Sequence, residues 1–272
     1  MPVAAAPDGG RAWRRRTRAA DWARAALWLI AAMVFAACWR ATTQDTIWEF
    51  VWDAPNQARD IAGRMFPPRW SYIGQLWRPL WDTVAIATIG TALAICMALP
   101  VAFLAASNTT PSAALARPAA LLAIVGSRSV NAIIWALILV TLVGPGVLAG
   151  MLAIALRSVG FLGKLIYEAI EEIDPEPVEA IRATGASPLQ VLAWGVWPQI
   201  VPAFAGVAVF RWDINIREAT VLGLVGAGGI GMNLESSMGT LAWPQVSLIL
   251  LVVLGTVVAS EYVSARVRAA VS

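Results

Sequence analysis

Long apolar runs alternate with short polar stretches along the chain. They cover residues 26–39 (ALWLIAAMVFAACW), 83–106, 118–144 (PAALLAIVGSRSVNAIIWALILVTLVG), 147–163, 198–223 (PQIVPAFAGVAVFRWDINIREATVLG) and 243–263. Most approach the roughly 20 apolar residues that cross a hydrocarbon core. In lipid each backbone amide must be satisfied within the protein, and a helix does this along its own length. The pattern therefore predicts an all-α polytopic membrane protein with about six transmembrane helices. Pro100 is expected to kink the second, and Gly144-Pro145-Gly146 to turn the chain between the third and fourth. Between the first two runs, DTIWEFVWDAPNQARDIAGRMF sets Ile47, Phe50 and Val51 at helical spacing. That segment reads as a helix lying along the outer membrane surface and ended by Pro67 and Pro68.

Composition agrees. Of 272 residues 59% are hydrophobic and 14% charged, where a soluble domain carries about a quarter charged; the mean hydropathy is +0.68. The net charge of +3 comes from arginines gathered at the termini, which set membrane topology and do not form a nucleic-acid surface. RAWRRRTRAADWAR places residues 1–24 as a basic cytoplasmic segment and 25–272 as the transmembrane domain, its core at about 80–266. FAAC resembles a lipoprotein cleavage site, but the flanking charges favour a retained anchor. Lys164, Arg266 and Arg268 then mark inner loops, and both termini are expected in the cytoplasm of a bacterial inner membrane. Arg59, Arg64, Arg69 and Arg78 in the outer loop run against this rule and are outweighed by the N-terminal cluster. The chain has no histidine and two cysteines, Cys38 and Cys96; these are expected as free thiols, with no metal site and no cofactor in the chain.

The longest charged loop, at about 165–197, holds EAIRATGASP. Pro175 and Pro177 predict one short helix ending and a second starting. In the second, Val178, Ile181 and Ala186 are expected on one face, and Gly185 with Ser187-Pro188 at a sharp turn. A short helix with a small-residue face can plug a groove on a partner. Its spacing resembles the cytoplasmic motif of permease subunits of type I ATP-binding-cassette importers: Glu-Ala-Ala, three residues, Gly, nine residues, Ile-x-Leu-Pro. Here stand Glu179-Ala180-Ile181, Gly185 and Pro198, with Ile181 for the second alanine, Gly195 for isoleucine and Trp197 for leucine. The segments MFPPRWSYIGQLWRPLWDTVAIATIGTALAICMALPVAFLAASNT and INIREATVLGLVGAGGIG are similar to phosphonate-importer permeases, with phosphite importers close relatives and methionine importers looser ones. Arg128-Ser129-Val130-Asn131 departs from the Arg-x-Ile-Pro-Glu pattern of that family.

The resemblance implies a transport subunit without catalytic residues. Glu179, Ala180, Ile181, Arg182, Gly185, Ala186, Ser187 and Pro198 would couple it to an ATPase. It also implies two ATPase subunits holding ATP and Mg, a second permease copy, and a periplasmic or lipid-anchored binding protein that delivers a phosphonate-like oxyanion.

Ionisable residues inside a span cost about 2.5–3.5 kcal/mol each on insertion scales, so they usually pair or serve a function. Arg128, with Ser129 and Asn131, lies near the middle of the third run and has no acid within four residues. On the fifth, Arg211, Asn215 and Glu218 share one face, while Asp213 and Arg217 sit opposite as i,i+4 neighbours. The first two groups are candidates for a substrate pathway, the last for a structural ion pair. Gly226, Gly228, Gly229 and Gly231 in LVGAGGIG are not a nucleotide loop, which needs a preceding strand. They are expected to allow a tight outer loop or close packing beside a gate. A secondary transporter or channel would need internal repeats or a coupling carboxylate; no repeat is visible, and Glu218 is the only weak candidate. A membrane enzyme would have little beyond carboxylates to use.

Overall fold

The structure, a computed structural model, describes residues 3–5, 11–13 and 18–271. The arginines at 14, 15 and 16 of the basic segment lie outside the described residues. A short antiparallel strand pair, β1 (Val3–Ala5) with β2 (Arg11–Trp13), precedes a chain of helices. The chain divides into two compact units, residues 1–60 and 61–272. The first holds α1 (Arg18–Thr43), whose described side chains are mostly exposed. Helix α2 (Trp48–Met65) crosses the division and buries no residue.

The second unit is built on α3 (Ile73–Ala105), α6 (Val147–Glu171), α9 (Trp197–Leu222) and α11 (Trp243–Val271). Among the described residues of both units, five helices are long and apolar enough to cross a membrane, or six if one bent pair counts as a span. That pair corrects the reading of residues 118–144 as one continuous helix. It is α4 (Ala116–Ser129) and α5 (Ala132–Val143), bent by 90° at the break. The extended backbone of Val130 ends the first helix, and Asn131 caps the start of the second, its side chain accepting from Ile133 N at 3.2 Å.

Helix α6 extends past the expected end at residue 163. Ile166 and Ile170 are buried on the core, and Lys164 pairs with Glu168 one turn on. The first short helix expected in the charged loop is therefore the end of α6. Ser107 N and Arg117 both reach Glu171, and the Asn108 amide donates to Ile170 O, which ties the preceding inner loop to this end.

Apolar contact alone gives helices in lipid little preference for each other, so close approach through small residues matters more. Helix α6 buries Ala149, Gly150, Ala153, Ala155, Ser158, Gly160 and Gly163. Gly160 admits α4: a Cβ there would stand 2.6 Å from Arg128 Cγ and 2.8 Å from Ser127 Oγ, with the Ile124 carbonyl oxygen as close. Ser127 Oγ accepts from Gly160 N at 2.9 Å and contacts Leu156 O, so the α4–α5 break lies level with the middle of α6. Gly160→Ala is expected to lose about 1–3 kcal/mol by overpacking. Gly206→Ala, where a Cβ meets nothing within 4 Å, should be neutral or gain up to about 1 kcal/mol from helix propensity. Thermal unfolding of the two variants in detergent checks the contrast.

Candidate functional site

Two regions carry candidate residues. The first is the surface loop. Asp174 caps α7 (Pro175–Ala183) by accepting from Glu176 N at 3.0 Å, and Pro175 occupies the first turn, where no amide partner is needed. Gln199 clamps this start to α9: its Oε1 accepts from Asp174 N at 3.0 Å, and its Nε2 donates to Gly195 O at 2.8 Å. Gly195, which replaces a larger residue of the motif, is buried; a Cβ there would stand 3.3 Å from the Val178 Cα. The glycine lets α7 lie close against the turn at 192–196 that leads into α9.

That closeness corrects one expectation. Val178, Ile181 and Ala186 do share a face, but it packs on this chain's own core with Leu162, Ile170, Val191 and Ile200. The exposed face carries Glu179, Ala180, Arg182, Ala183, Gly185 and Ser187. Apolar side chains were read as the partner face because the sequence does not say that α9 lies beneath them. Gly185 turns the chain with φ +79°, and nothing lies within 4 Å of a Cβ there. It matters for backbone conformation and not for packing within the chain.

Beyond it Ser187 N donates to Gln190 Oε1 at 2.8 Å, opening α8 (Pro188–Val191). A π turn at Leu192–Val196 leads into α9. Pro198 stands just after that turn; it has no N–H to offer the preceding turn, and such widened turns accommodate the loss. Between loop 108–110 and α7–α8 lies a cavity of about 830 Å³, lined among others by Thr109, Glu171, Glu179 and Arg182.

The second region lies along α6 and α9. A hydrogen-bond chain crosses from α9 through α6 to α3. Arg211 Nε donates to Ser158 Oγ at 2.9 Å, and Ser158 donates to Asn215 Oδ1 at 3.2 Å. Asn215 Nδ2 then donates to Thr91 Oγ1 at 2.7 Å, and Thr91 donates to Ala87 O at 2.6 Å. Glu218 pairs with Arg211 at 3.2 Å and with Arg157 on α6. Arg211 is 2% exposed and Asn215 0%, so in this conformation both join helices and neither lines an open surface. Arg128, Ser129 and Asn131 are exposed at the α4–α5 break, and the Arg128 and Arg211 guanidiniums lie 5.1 and 5.0 Å from the Phe161 ring centre. Arg157 is the residue that sequence reasoning missed. It is an isolated cation in an apolar run, and the rule that singled out Arg128 applies to it equally.

On the opposite face of α9, Arg217 pairs with Asp213, and Asp213 Oδ1 accepts from Ser260 Oγ of α11 at 2.8 Å. The glycine loop joins three helices. Gly229 adopts φ +78° with Thr83 Oγ1 2.6 Å from the place of a Cβ, and Ile230 N donates to that oxygen at 2.8 Å. Gly231 lies against the Thr220 carbonyl. Gly228 borders Val147, and Gly226 O accepts from Gly146 N at 3.0 Å. A helix unread in the sequence, α10 (Ile230–Gly239), follows.

A helical bundle with several helices long and apolar enough to cross a membrane, and a clamped surface helix between two of them, has the form of a membrane transport subunit. Residues 90–268 match the family of binding-protein-dependent transport system inner membrane components. The chain belongs to that family and is the permease component of such an importer. It is 42% identical over 240 residues to the phosphite transport system permease protein PtxC of Stutzerimonas stutzeri, covering 88% of this chain and 86% of that one. It is 39% identical over 220 residues to the phosphate-import permease protein PhnE of Mycolicibacterium smegmatis, covering 80% of this chain and 41% of the relative. Among solved structures, an inward-facing MetNI methionine transporter superposes with a TM-score of 0.65 at 21% identity, over 75% of this chain and 99% of that one; this likeness bears on the fold.

The Asp213–Arg217 pair is unequally buried, with side chains 6% and 49% exposed. Arg217→Ala strands a buried carboxylate and should cost about 3–5 kcal/mol. Asp213→Ala leaves an arginine that can turn outward, and should cost less than half of that. The double variant should resemble Asp213→Ala. Thermal stability of the three purified variants checks the order.

Proposed function

We propose that this chain forms, with a second copy of itself, the pore of an importer that moves a phosphonate or a related phosphorus oxyanion into the cell. A periplasmic or lipid-anchored binding protein delivers the substrate. Two ATPase subunits, which hold ATP and Mg, dock on the exposed face of α7. The observation that carries the coupling role is the clamped, outward-turned α7: Asp174, Gln199 and Gly195 fix it to α9, and the end of α6 leads into it. Displacement of α7 by a partner would therefore be passed to the two helices that hold the central polar chain.

Glu179, Ala180, Arg182, Gly185 and Ser187 are the docking contacts in this reading. Ile181 and Ala186 support them from beneath, and Pro198 sets the start of α9. The substrate class rests on the relatives named for phosphite and phosphate. Six spans, with the bent pair counted as one, and Arg266 and Arg268 at the end of α11 support a topology with both termini in the cytoplasm. The chain itself contributes differential contacts to inward-open and outward-open states, not bond chemistry.

Reconstituted with its ATPases and binding protein, the importer should take up phosphite, phosphate or methylphosphonate in an ATP-dependent manner. Uptake of methionine instead, or proton-driven uptake by the permease without ATPases, would overturn the reading. Gly185→Val places a β-branched residue at positive φ, a strain of order 1–3 kcal/mol. The permease should stay folded, because no neighbour crowds the site. Copurified ATPase and coupled hydrolysis should fall several-fold, and wild-type values for both would remove Gly185 from the docking surface.

A further inference from the structure

The α4–α5 break places polar groups and open backbone beside the middle of α6, between two apolar helices that pass together as one broken membrane span, and so within the membrane when both are read as spans. Non-helical backbone at that depth is tolerated only when it is enclosed by protein or lines a water-filled cavity. This chain does not enclose it: Arg128, Ser129 and Asn131 are exposed. Charge gives a second, independent reason. The Arg128 and Arg211 guanidiniums both lie over Phe161, and Glu218, the carboxylate that pairs with Arg211, also pairs with Arg157. Arg211 and Arg157 share that carboxylate. Arg128 makes no ion pair among the described residues and rests on the Phe161 ring, within about 10 Å of the Arg211 guanidinium by the two ring distances. Arg157 lies one turn before Phe161 on α6, on the same face, and its side chain is 24% exposed. The cluster thus holds a surplus of positive charge, with two of its arginines reachable from outside the chain.

We propose that this break is an oxyanion-contact site on the translocation path, with Arg128 and Arg157 donating N–H groups to a tetrahedral phosphorus oxyanion. Glu218 is the resident counter-anion, which holds Arg157 and Arg211 in place while the site is empty and gives up Arg157 to the substrate. The ligand class rests on the function proposed above; the site itself rests on the break and the charge surplus. Asp213 and Arg217 neutralise each other on the far face of α9 and take no part.

The test uses the whole importer in proteoliposomes, with Cys38 and Cys96, both free and exposed, replaced by alanine and Ser129→Cys introduced. Labelling rates are compared for an anionic sulfonatoethyl and a cationic trimethylammonioethyl methanethiosulfonate. A cationic aqueous site should favour the anionic reagent roughly tenfold or more. Arg128→Gln should bring the ratio close to one, and Arg128→Lys should retain most of it. Millimolar phosphite or methylphosphonate should slow the labelling, and chloride at equal ionic strength should not. Glu218→Gln, in protein that stays assembled, should raise the anionic preference further. No labelling by either reagent, with and without ATP, would place the break against lipid or protein and overturn the proposal. So would equal rates for the two reagents. A preserved preference that depends on Arg128, with protection and uptake both following sulfate in place of the phosphorus anions, would leave the site standing and remove the substrate class.

Discussion

Leucine against leucine is worth little more than leucine against a lipid tail, so helices in a bilayer hold together where their backbones can approach closely. Helix α6 meets that constraint with its run of alanine, glycine and serine, and α3, α4, α5 and α9 all lie against it. The other features follow from this approach. Gly160 lets α4 settle over α6, which carries Arg128 to Phe161. Gly150 sits under the Ala227 carbonyl of the glycine loop. Ser158, small enough to be covered, receives Arg211 from α9. A larger residue at Gly160 or Ser158 would separate two helices and break a polar contact as well as an apolar one.

The central polar chain exists because close packing excludes water. Arg211, Ser158, Asn215 and Thr91 have each other and no solvent, and a buried polar group without a partner would be costly. Each is satisfied in sequence, ending on a backbone carbonyl. Such networks specify one arrangement of helices more sharply than apolar contact does. They also make α3, α6 and α9 a unit, and the clamp of Gln199 on Asp174 extends that unit to the surface helix α7. In the function proposed here, force applied at α7 has a rigid path to the charged middle of the protein.

The spans, the helix at 48–65 and the position of the surface loop were legible in the sequence, because length, hydropathy and periodicity belong to each segment separately. The i,i+4 spacing of Asp213 and Arg217 was legible for the same reason: it is a property of one helix. The break at Asn131 was not, since an apolar run with two polar residues reads the same whether straight or bent by 90°. The inward turn of Val178 and Ile181 was hidden as well. It depends on Gly195, which is near Val178 in space and far from it along the chain.

What the sequence by itself determined is therefore the set of helices, the bilayer as their solvent and the motif spacing that points to a transport subunit. All of these are local or additive along the chain. What only the tertiary structure decided is which charges meet. Arg157, Arg211 and Glu218 come from two helices, and Arg128 joins them from a third. Whether a cation in lipid is paired, shared or left over depends on distances between helices. Those are set by which small residues lie at the crossings.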